Sequence, residues 1–222
     1  MTPPNPDFDL ARALMVDGQI RPNRVSDPRI IAAMRLLPRE RFVPPALAAL
    51  AYIDDDLALP GGRALMSPLT LARLLQLAAP RAGERALVVG AGTGYGAAVL
   101  ATAGVHVTAL EEDEALSDLG REACRDAAPS VRFVAGPLRE GWAADSPYDF
   151  VVIEGAVRAI PEPIGAQVAP NGRLVAVMAP EGRTPYGAIA EHSVGRLRAR
   201  AVFDAHANLL KSMLAVPAFT LS

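Results

Sequence analysis

The sequence predicts an α/β fold, in which a doubly wound and mostly parallel sheet carries an N-terminal helical extension and an antiparallel C-terminal edge. From Arg85 onward, apolar strand-like runs alternate with helix-like segments, a pattern typical of a parallel sheet with helices on both faces. Before Arg85, apolar residues recur at the spacing of a helix, and after Pro180 the sequence contains short strand-like segments. We predict one domain, with a helical region over 1–80, an α/β core over 81–180 and edge strands over 181–222.

The helical region contains two predicted helices, at 9–20 and 27–37, separated by a turn at 21–24 that contains a proline. Asp27-Pro28 supplies an N-cap and a first-turn proline for the second helix. Pro45 can start a short helix that runs through Tyr52.

Two further features precede the core. Asp54-Asp55-Asp56 is interpreted as a solvated turn, since three successive carboxylates do not converge readily on a metal ion and no histidine lies nearby. Ser67-Pro68 caps a stronger helix, whose apolar stripe comprises Leu69, Leu71, Leu74, Leu75 and Ala78.

The core and edge are predicted from apolar runs separated by glycine, proline and polar residues. The predicted core strands are 85–89, 106–110, 131–135, 148–153 and 173–178. The helices between them are predicted at 95–103, 114–127 and 161–169. The edge strands are predicted near 188–193, 197–203 and 214–221.

The amino-acid composition limits the classes of function that this chain can have. The chain has 222 residues, 51% of them hydrophobic and 21% charged, with a net charge of -2. No broad basic surface is implied, so a nucleic-acid partner is disfavoured. The single cysteine cannot form an internal disulfide, and residues 1–9 lack a charged-then-apolar start, so we predict a cytoplasmic protein. The uncharged stretch 86–105 contains a glycine cluster, which argues against a membrane span.

The most informative motif is the glycine turn that follows the strand at 85–89. Its glycines, Gly90, Gly92 and Gly94, have GxGxG spacing, whereas the dinucleotide fingerprint would need a glycine where Tyr95 stands. Such a turn lets the backbone approach a ligand, and the following helix offers its N-terminal amides. About 20 residues later, Glu111 ends the next strand at the position where an acid accepts ribose hydroxyls.

Four loops are expected to converge on one crevice, because each follows a parallel strand. They are the glycine turn, Glu111, residues 136–138 and residues 154–156. The alternative for the glycines is a simple strand-to-helix turn, and for Glu111 a surface acid in the cluster Glu111-Glu112-Asp113-Glu114. For the aromatic residues Tyr95 and Trp142, packing in the core is a more common role than contact with a ligand.

These residues resemble the protein-L-isoaspartate O-methyltransferases, which are class I S-adenosylmethionine-dependent enzymes with a Rossmann-like sheet. The resemblance covers nearly the whole chain, and its N-terminal motifs are more specific than the glycine turn. The matching segments are 15–22, 25–28, Met34, 38–44, 89–95, 141–142, 147–149 and 170–175.

The resemblance implies that a substrate carboxylate attacks the methyl carbon of S-adenosylmethionine, with no metal. A carboxylate is already ionised at neutral pH, so no strong base is required. The glycines would follow the methionine and ribose, Glu111 would bind the ribose hydroxyls, and 136–138 would border the adenine. The implied cofactor residues are Gly90, Gly92, Gly94, Tyr95, Glu111, Gly136, Pro137, Leu138 and Glu154.

Three positions depart from the family pattern. Ala64 and Met66 stand where the family has a Thr and a Ser that contact the substrate, and the neighbouring Ser67 is the candidate catalytic hydroxyl, with helix capping as its alternative. Val88 replaces an acid two residues before the first glycine. Pro137 replaces an Asp for the adenine amine, and proline offers no such hydrogen bond. Glu154 is expected to restore some acidity.

Three functional hypotheses follow. The first is carboxyl methylation of isoaspartyl residues in damaged proteins or peptides by a monomer or homodimer. The second keeps the scaffold and cofactor but changes the acceptor, as the residues at positions 64 and 66 would favour. The third is a non-catalytic protein that binds a nucleoside or a partner.

Overall fold

A computed structural model describes residues 7–193 and 196–214. Its main feature is a seven-stranded sheet in the order β5-β4-β3-β6-β7-β8-β9, beside a small antiparallel hairpin of β1 and β2. The strands are β1 (Leu57–Ala58), β2 (Ala64–Leu65), β3 (Arg85–Val89), β4 (His106–Glu111), β5 (Arg132–Ala135), β6 (Tyr148–Val157), β7 (Val168–Met178), β8 (Tyr186–Ser193) and β9 (Arg196–Asp204).

The sheet is parallel from β5 to β7 and antiparallel at β8 and β9, which confirms the predicted fold class. The strand order reverses beside β3, since β4 lies on one side of it and β6 on the other. The register places Val89 opposite both Leu110 and Ile153. The crevice expected at such a switch point therefore lies beyond Val89.

In the described part of the chain six α-helices flank the sheet, and the two predicted N-caps, Asp27 and Ser67, are both present. Asp27 accepts a hydrogen bond from the Arg29 amide, and Asp113 accepts one from Leu116. The helices are α1 (Phe8–Leu14), α2 (Pro28–Leu36), α3 (Pro68–Ala78), α4 (Tyr95–Thr102), α5 (Glu114–Ala127) and α6 (Glu162–Gly165).

The first predicted helix changes type along its length. After α1, residues Met15–Ile20 form a π-helix, and Arg21–Asn23 form a 3₁₀ turn. The wider turn buries Met15, Val16 and Ile20, whereas α1 itself has no buried residue. Pro45–Leu50 is likewise a 3₁₀ helix rather than an α-helix.

The region between β6 and β7 differs most from the prediction. The helix predicted at 161–169 is only α6, and β7 begins five residues earlier than the predicted 173. Pro170-Asn171-Gly172 forms a bulge within β7, because its pairing with β6 jumps from Tyr148↔Val168 to Phe150↔Arg173. β6 also extends past the predicted residue 153, so residues 154–156 lie inside a strand rather than in a loop.

The antiparallel edge follows the prediction with small shifts, as β8 and β9 include the predicted 188–193 and 197–203. The third predicted edge strand, 214–221, lies almost wholly outside the described residues. Leu214, its first residue, follows a short 3₁₀ turn, Lys211–Met213.

Hydrophobic residues form two buried clusters. The larger cluster joins the N-terminal helices to α3, α4 and one set of side chains from β3 and β6, including Val88 and Val152. The smaller contains the alternate set, including Val89 and Ile153, as the period of two along a strand requires. Within 7–193 and 196–214, no helix is long and apolar enough to cross a membrane.

Candidate functional site

The glycine turn joins β3 to α4 at the switch point of the sheet. Gly90, Gly92 and Gly94 have φ angles of 73°, 56° and 82°, which L side chains rarely adopt. The amides of Gly90 and Ala91 both donate to the Leu110 carbonyl at 3.0 Å. The end of β4 therefore fixes the turn.

Gly92 is distinct from the other two glycines. It is buried, yet a Cβ built on it would meet no atom within 4 Å, among the residues that the structure describes. A Cβ on Gly90 would lie 3.0 Å from Arg63 Nη2, and one on Gly94 would lie 2.6 Å from Phe133 Cζ. Space for a ligand beside the turn is therefore found at Gly92.

Glu111, the last residue of β4, is fully buried beside the turn rather than a surface acid. Its Oε2 accepts from the Gly92 amide at 2.6 Å. Its Oε1 accepts from Arg63 Nη1 at 2.5 Å and from the amides of Glu112 and Asp113 at 2.9 and 3.1 Å. The carboxylate thus connects the turn, the end of β4 and the β1–β2 hairpin.

Arg63 is a residue of this site that the sequence reasoning missed. It follows the 3₁₀ turn Pro60–Gly62 of the hairpin, and its side chain is only 9% exposed. Besides its ion pair with Glu111, its Nη2 donates to the Gly90 carbonyl at 2.9 Å. The only signal in the sequence was its position, since it directly precedes the substrate-loop residue Ala64.

Glu154 lies on β6 across from the turn, and its carboxylate packs against Gly96 in the first turn of α4. Burial raises its pKa to about 8, because desolvation outweighs the opposing charges of Arg63 and Arg39. Its Oε1 is buried with no hydrogen-bond partner in the described part of the chain. The carboxyl is therefore mainly protonated at neutral pH, which argues against Glu154 supplying a full negative charge.

Arg39 is a second buried cation that the sequence did not single out. It donates from Nε to the Ala51 carbonyl at 2.6 Å and from Nη2 to the Met66 carbonyl at 2.7 Å. Its guanidinium lies 4.7 Å from the centre of the Tyr95 ring. Tyr95 is fully buried by this contact, so its packing role is observed.

The loop after β5 approaches Glu111 through its backbone. The Gly136 amide donates to the Glu111 carbonyl at 3.3 Å, while the Pro137 ring is exposed. Leu138 is 1% exposed and packs in the smaller hydrophobic cluster. Of the three predicted adenine-side residues, Gly136 contacts Glu111 through its backbone, Pro137 is exposed next to it, and Leu138 is buried in the core, so their role toward the adenine stays a prediction.

The acceptor loop leads from the hairpin to α3. Ser67 Oγ accepts from the Thr70 amide at 3.4 Å, and the Ser67 amide donates to Asp56 at 2.7 Å. The hydroxyl therefore acts as the N-cap of α3, and its acceptor role stays a prediction. Asp56 also accepts from the Asn208 amide at 2.8 Å, so this acid ties the loop to the segment after β9.

An open groove of about 790 Å³ borders this loop. The walls come from the acidic turn, the hairpin, the start of α3 and the segment after β9. Arg63 lines the groove and also contacts the glycine turn. The groove and the crevice therefore meet at one side chain.

The comparisons with known proteins agree with this geometry. The family model described as protein-L-isoaspartate(D-aspartate) O-methyltransferase matches residues 11–201. The chain belongs to this family. A protein-L-isoaspartate O-methyltransferase from Methylorubrum extorquens (strain PA1) is 40% identical over 179 residues, which are 81% of this chain and 78% of the relative.

Solved structures show the same fold. A protein-L-isoaspartate O-methyltransferase has a TM-score of 0.79 at 23% identity, covering 91% of this chain and 67% of its own. A Plasmodium falciparum protein described as a protein-L-isoaspartate O-methyltransferase, solved with S-adenosyl-L-homocysteine, has a TM-score of 0.75 at 19% identity and covers 94% of this chain and 100% of its own. The protein is thus a class I methyltransferase by fold, and its family uses S-adenosylmethionine.

The residues of the crevice fit that cofactor. The buried opening at Gly92 would admit a ligand against the backbone, and Glu111 stands in register with the turn. Arg63 contacts Glu111 where the ribose hydroxyls would bind, but its side chain has rotatable bonds and can therefore turn away. The described residues include no group of three or more His, Cys, Asp or Glu side chains that would hold a metal ion.

Proposed function

We propose that this methyltransferase acts on isoaspartyl carboxylates in proteins or peptides. The observation that supports the proposal most strongly is that the crevice and the groove meet at Arg63, which brings an open groove next to the glycine turn. The family membership supports the same acceptor. The groove is open to solvent, so a carboxylate carried on a peptide can enter it.

In the proposed reaction, one oxygen of the acceptor carboxylate forms a bond to the methyl carbon as the carbon–sulfur bond breaks. The electron pair of that bond stays on sulfur, so the products are a methyl ester and S-adenosylhomocysteine. The cofactor supplies an activated methyl group on a positively charged sulfur. The protein needs no general base, and its contribution is to orient the carboxylate and exclude water.

The proposed cofactor contacts follow the residues of the crevice. Gly90, Gly92 and Gly94 would follow the methionine and ribose portions, and Glu111 would accept the ribose hydroxyls. Gly136 and Pro137 would border the adenine, above Leu138. Tyr95 and Glu154 would support the site from α4 and β6.

A radiolabelled methyl-transfer assay tests the acceptor directly. The substrate is a peptide with one isoaspartyl residue, and the control is its twin with aspartate at the same position. We expect label in the isoaspartyl peptide only, released by mild base as expected of a methyl ester. Equal labelling of the two peptides, or of neither, would overturn the isoaspartyl proposal.

A different acceptor is the second candidate, and Ala64 and Met66 favour it because they lack the hydroxyls expected at the substrate loop. If the isoaspartyl peptide stays unlabelled while other acidic peptides or small carboxylates are labelled, this candidate is correct. A protein that labels no acceptor would instead support the non-catalytic hypothesis.

A further inference from the structure

Arg63 lies between the two ligand regions and has donors for both. Nη1 contacts Glu111, Nη2 contacts the Gly90 carbonyl, and Nε is buried without a hydrogen-bond partner among residues 7–193 and 196–214. The side chain is nine-tenths buried and also lines the groove. A buried cation with an unused donor, facing a groove, is equipped to bind an anion.

The two oxygens of the Glu111 carboxylate differ in how many hydrogen bonds they already accept. Each has two lone pairs, and Oε1 accepts three hydrogen bonds whereas Oε2 accepts only one, from the Gly92 amide. Three of the donors are backbone amides, held by the glycine turn and the start of α5. Oε2 can accept one more hydrogen bond, but only the Arg63 donor on Oε1 belongs to a side chain that can rotate away. A pair of ribose hydroxyls that binds both oxygens must therefore displace Arg63 from Oε1.

We propose that Arg63 exchanges Glu111 for the carboxylate of the acceptor when the cofactor binds. The ribose hydroxyls take the place of the guanidinium on Glu111, and the guanidinium turns toward the groove. There it binds the acceptor carboxylate in place of the hydroxyls that Ala64 and Met66 lack. The proposal rests on the proposed function, and it makes binding ordered, with the cofactor first.

The charges of the groove support this role. Its wall carries acids, among them Asp54 and Asp55, and also the cations Arg73 and Lys211. Arg63 differs from those two cations because it also contacts the glycine turn, so it is the groove cation that can hold an acceptor carboxylate next to the cofactor crevice. A guanidinium suits this task because its N–H groups match carboxylate oxygens. A guanidinium that holds one oxygen leaves the other free to attack the methyl carbon.

Two variants and one control test the exchange. Arg63→Gln removes the charge, and Arg63→Lys keeps it but replaces the planar pair of nitrogens that contact Glu111 and the Gly90 carbonyl with a single ammonium. Arg73→Gln is the matched control for cofactor binding, because Arg73 lines the same groove and stacks on Phe203, 3.9 Å from the ring centre. Thermal unfolding first establishes which variants are folded, and Arg63→Lys is the conservative alternative if Arg63→Gln is not.

Calorimetric titration with S-adenosylhomocysteine measures the competition. We expect Arg63→Gln to bind about tenfold more tightly than wild type, since no ion pair has to be broken, Arg63→Lys to lie between the two because it keeps a charge beside Glu111, and Arg73→Gln to bind as wild type does. In the transfer assay, KM for the isoaspartyl peptide rises by about tenfold or more in Arg63→Gln and is partly restored in Arg63→Lys, with a smaller change in kcat.

Unchanged or weaker S-adenosylhomocysteine binding in a folded Arg63→Gln variant, or in Arg63→Lys if Arg63→Gln does not fold, would overturn the exchange. An unchanged KM would overturn the acceptor contact, even if the cofactor bound more tightly. Wild-type protein that is inactive on the isoaspartyl peptide would overturn the proposed function, and the titrations would still decide whether Arg63 competes for Glu111.

Discussion

At the scale of single residues, the crevice contains two buried acids, Glu111 and Glu154, and two buried arginines, Arg39 and Arg63. Glu111 is stabilised by an ion pair and three amides, whereas Glu154 has two guanidinium groups near it but an unpartnered oxygen. A buried carboxylate without direct partners favours its neutral form. The two acids at the same crevice therefore have different protonation states at neutral pH.

Glu154 is expected to make stability depend on pH. Its folded-state pKa of about 8 lies above the ordinary value of 4.5, so between these values the folded protein holds a proton that the unfolded chain releases. Stability is thus lost as pH rises through that window, by at most about 1.4 kcal/mol per pH unit. In Glu154→Gln this contribution disappears, so the variant gains stability relative to wild type as pH rises.

Denaturant unfolding of wild type and Glu154→Gln, at a series of pH values from about 5 to about 8.5, measures this difference. Glu112→Gln, which removes a carboxylate at an exposed neighbouring position of the crevice, is the control. A stability difference between Glu154→Gln and wild type that does not change with pH would contradict the assignment.

At the scale of elements, the junction of β3, the glycine turn and α4 depends on a tightly packed aromatic ring. Phe133 of β5 lies between two glycines, because a Cβ on Gly94 would approach its ring to 2.6 Å and a Cβ on Gly120 to 2.8 Å. The ring cannot retreat from one glycine without meeting the other. The turn, α5 and β5 are therefore packed as one unit.

Gly94→Ala is expected to destabilise this unit. The residue has a φ of 82°, which costs an alanine about 1 kcal/mol, and the collision with Phe133 adds about 1–3 kcal/mol. Gly83→Ala is the matched control, since Gly83 has a φ of 84° but open space around a Cβ. Chemical denaturation measures both variants, and equal losses of stability would show that the packing around Phe133 does not matter.

The helices and strands also differ in how well the sequence predicts them. The strands β3 and β4 were found because a buried parallel strand is a short apolar run, and α3 because Ser67-Pro68 marks its start. The bulge in β7 was missed because Pro170-Asn171-Gly172 has the composition of a turn, and pairing with β6 overrides that preference.

At the scale of the whole molecule, the site depends on contacts between distant segments. Arg63 meets Glu111 across 48 positions, and Asp56 meets Asn208 across 152. No local pattern encodes such contacts, so the sequence predicted the glycines and Glu111 but neither Arg63 nor the groove. The N-terminal helices, which carry the family's most specific motifs, share their core with α4 and thereby support the turn.

The central claim is that the cofactor lies against the glycine turn at Gly92. Calorimetric titration of S-adenosylhomocysteine into Gly92→Ala tests it, because the new methyl group projects into the open space while the ion pair of Glu111 stays intact. Gly83→Ala, which also places an alanine at a positive φ but at the opposite end of β3 from the crevice, is the control. The account predicts wild-type affinity in Gly83→Ala and a loss of about tenfold or more in Gly92→Ala. Equal affinity in the two variants would contradict it.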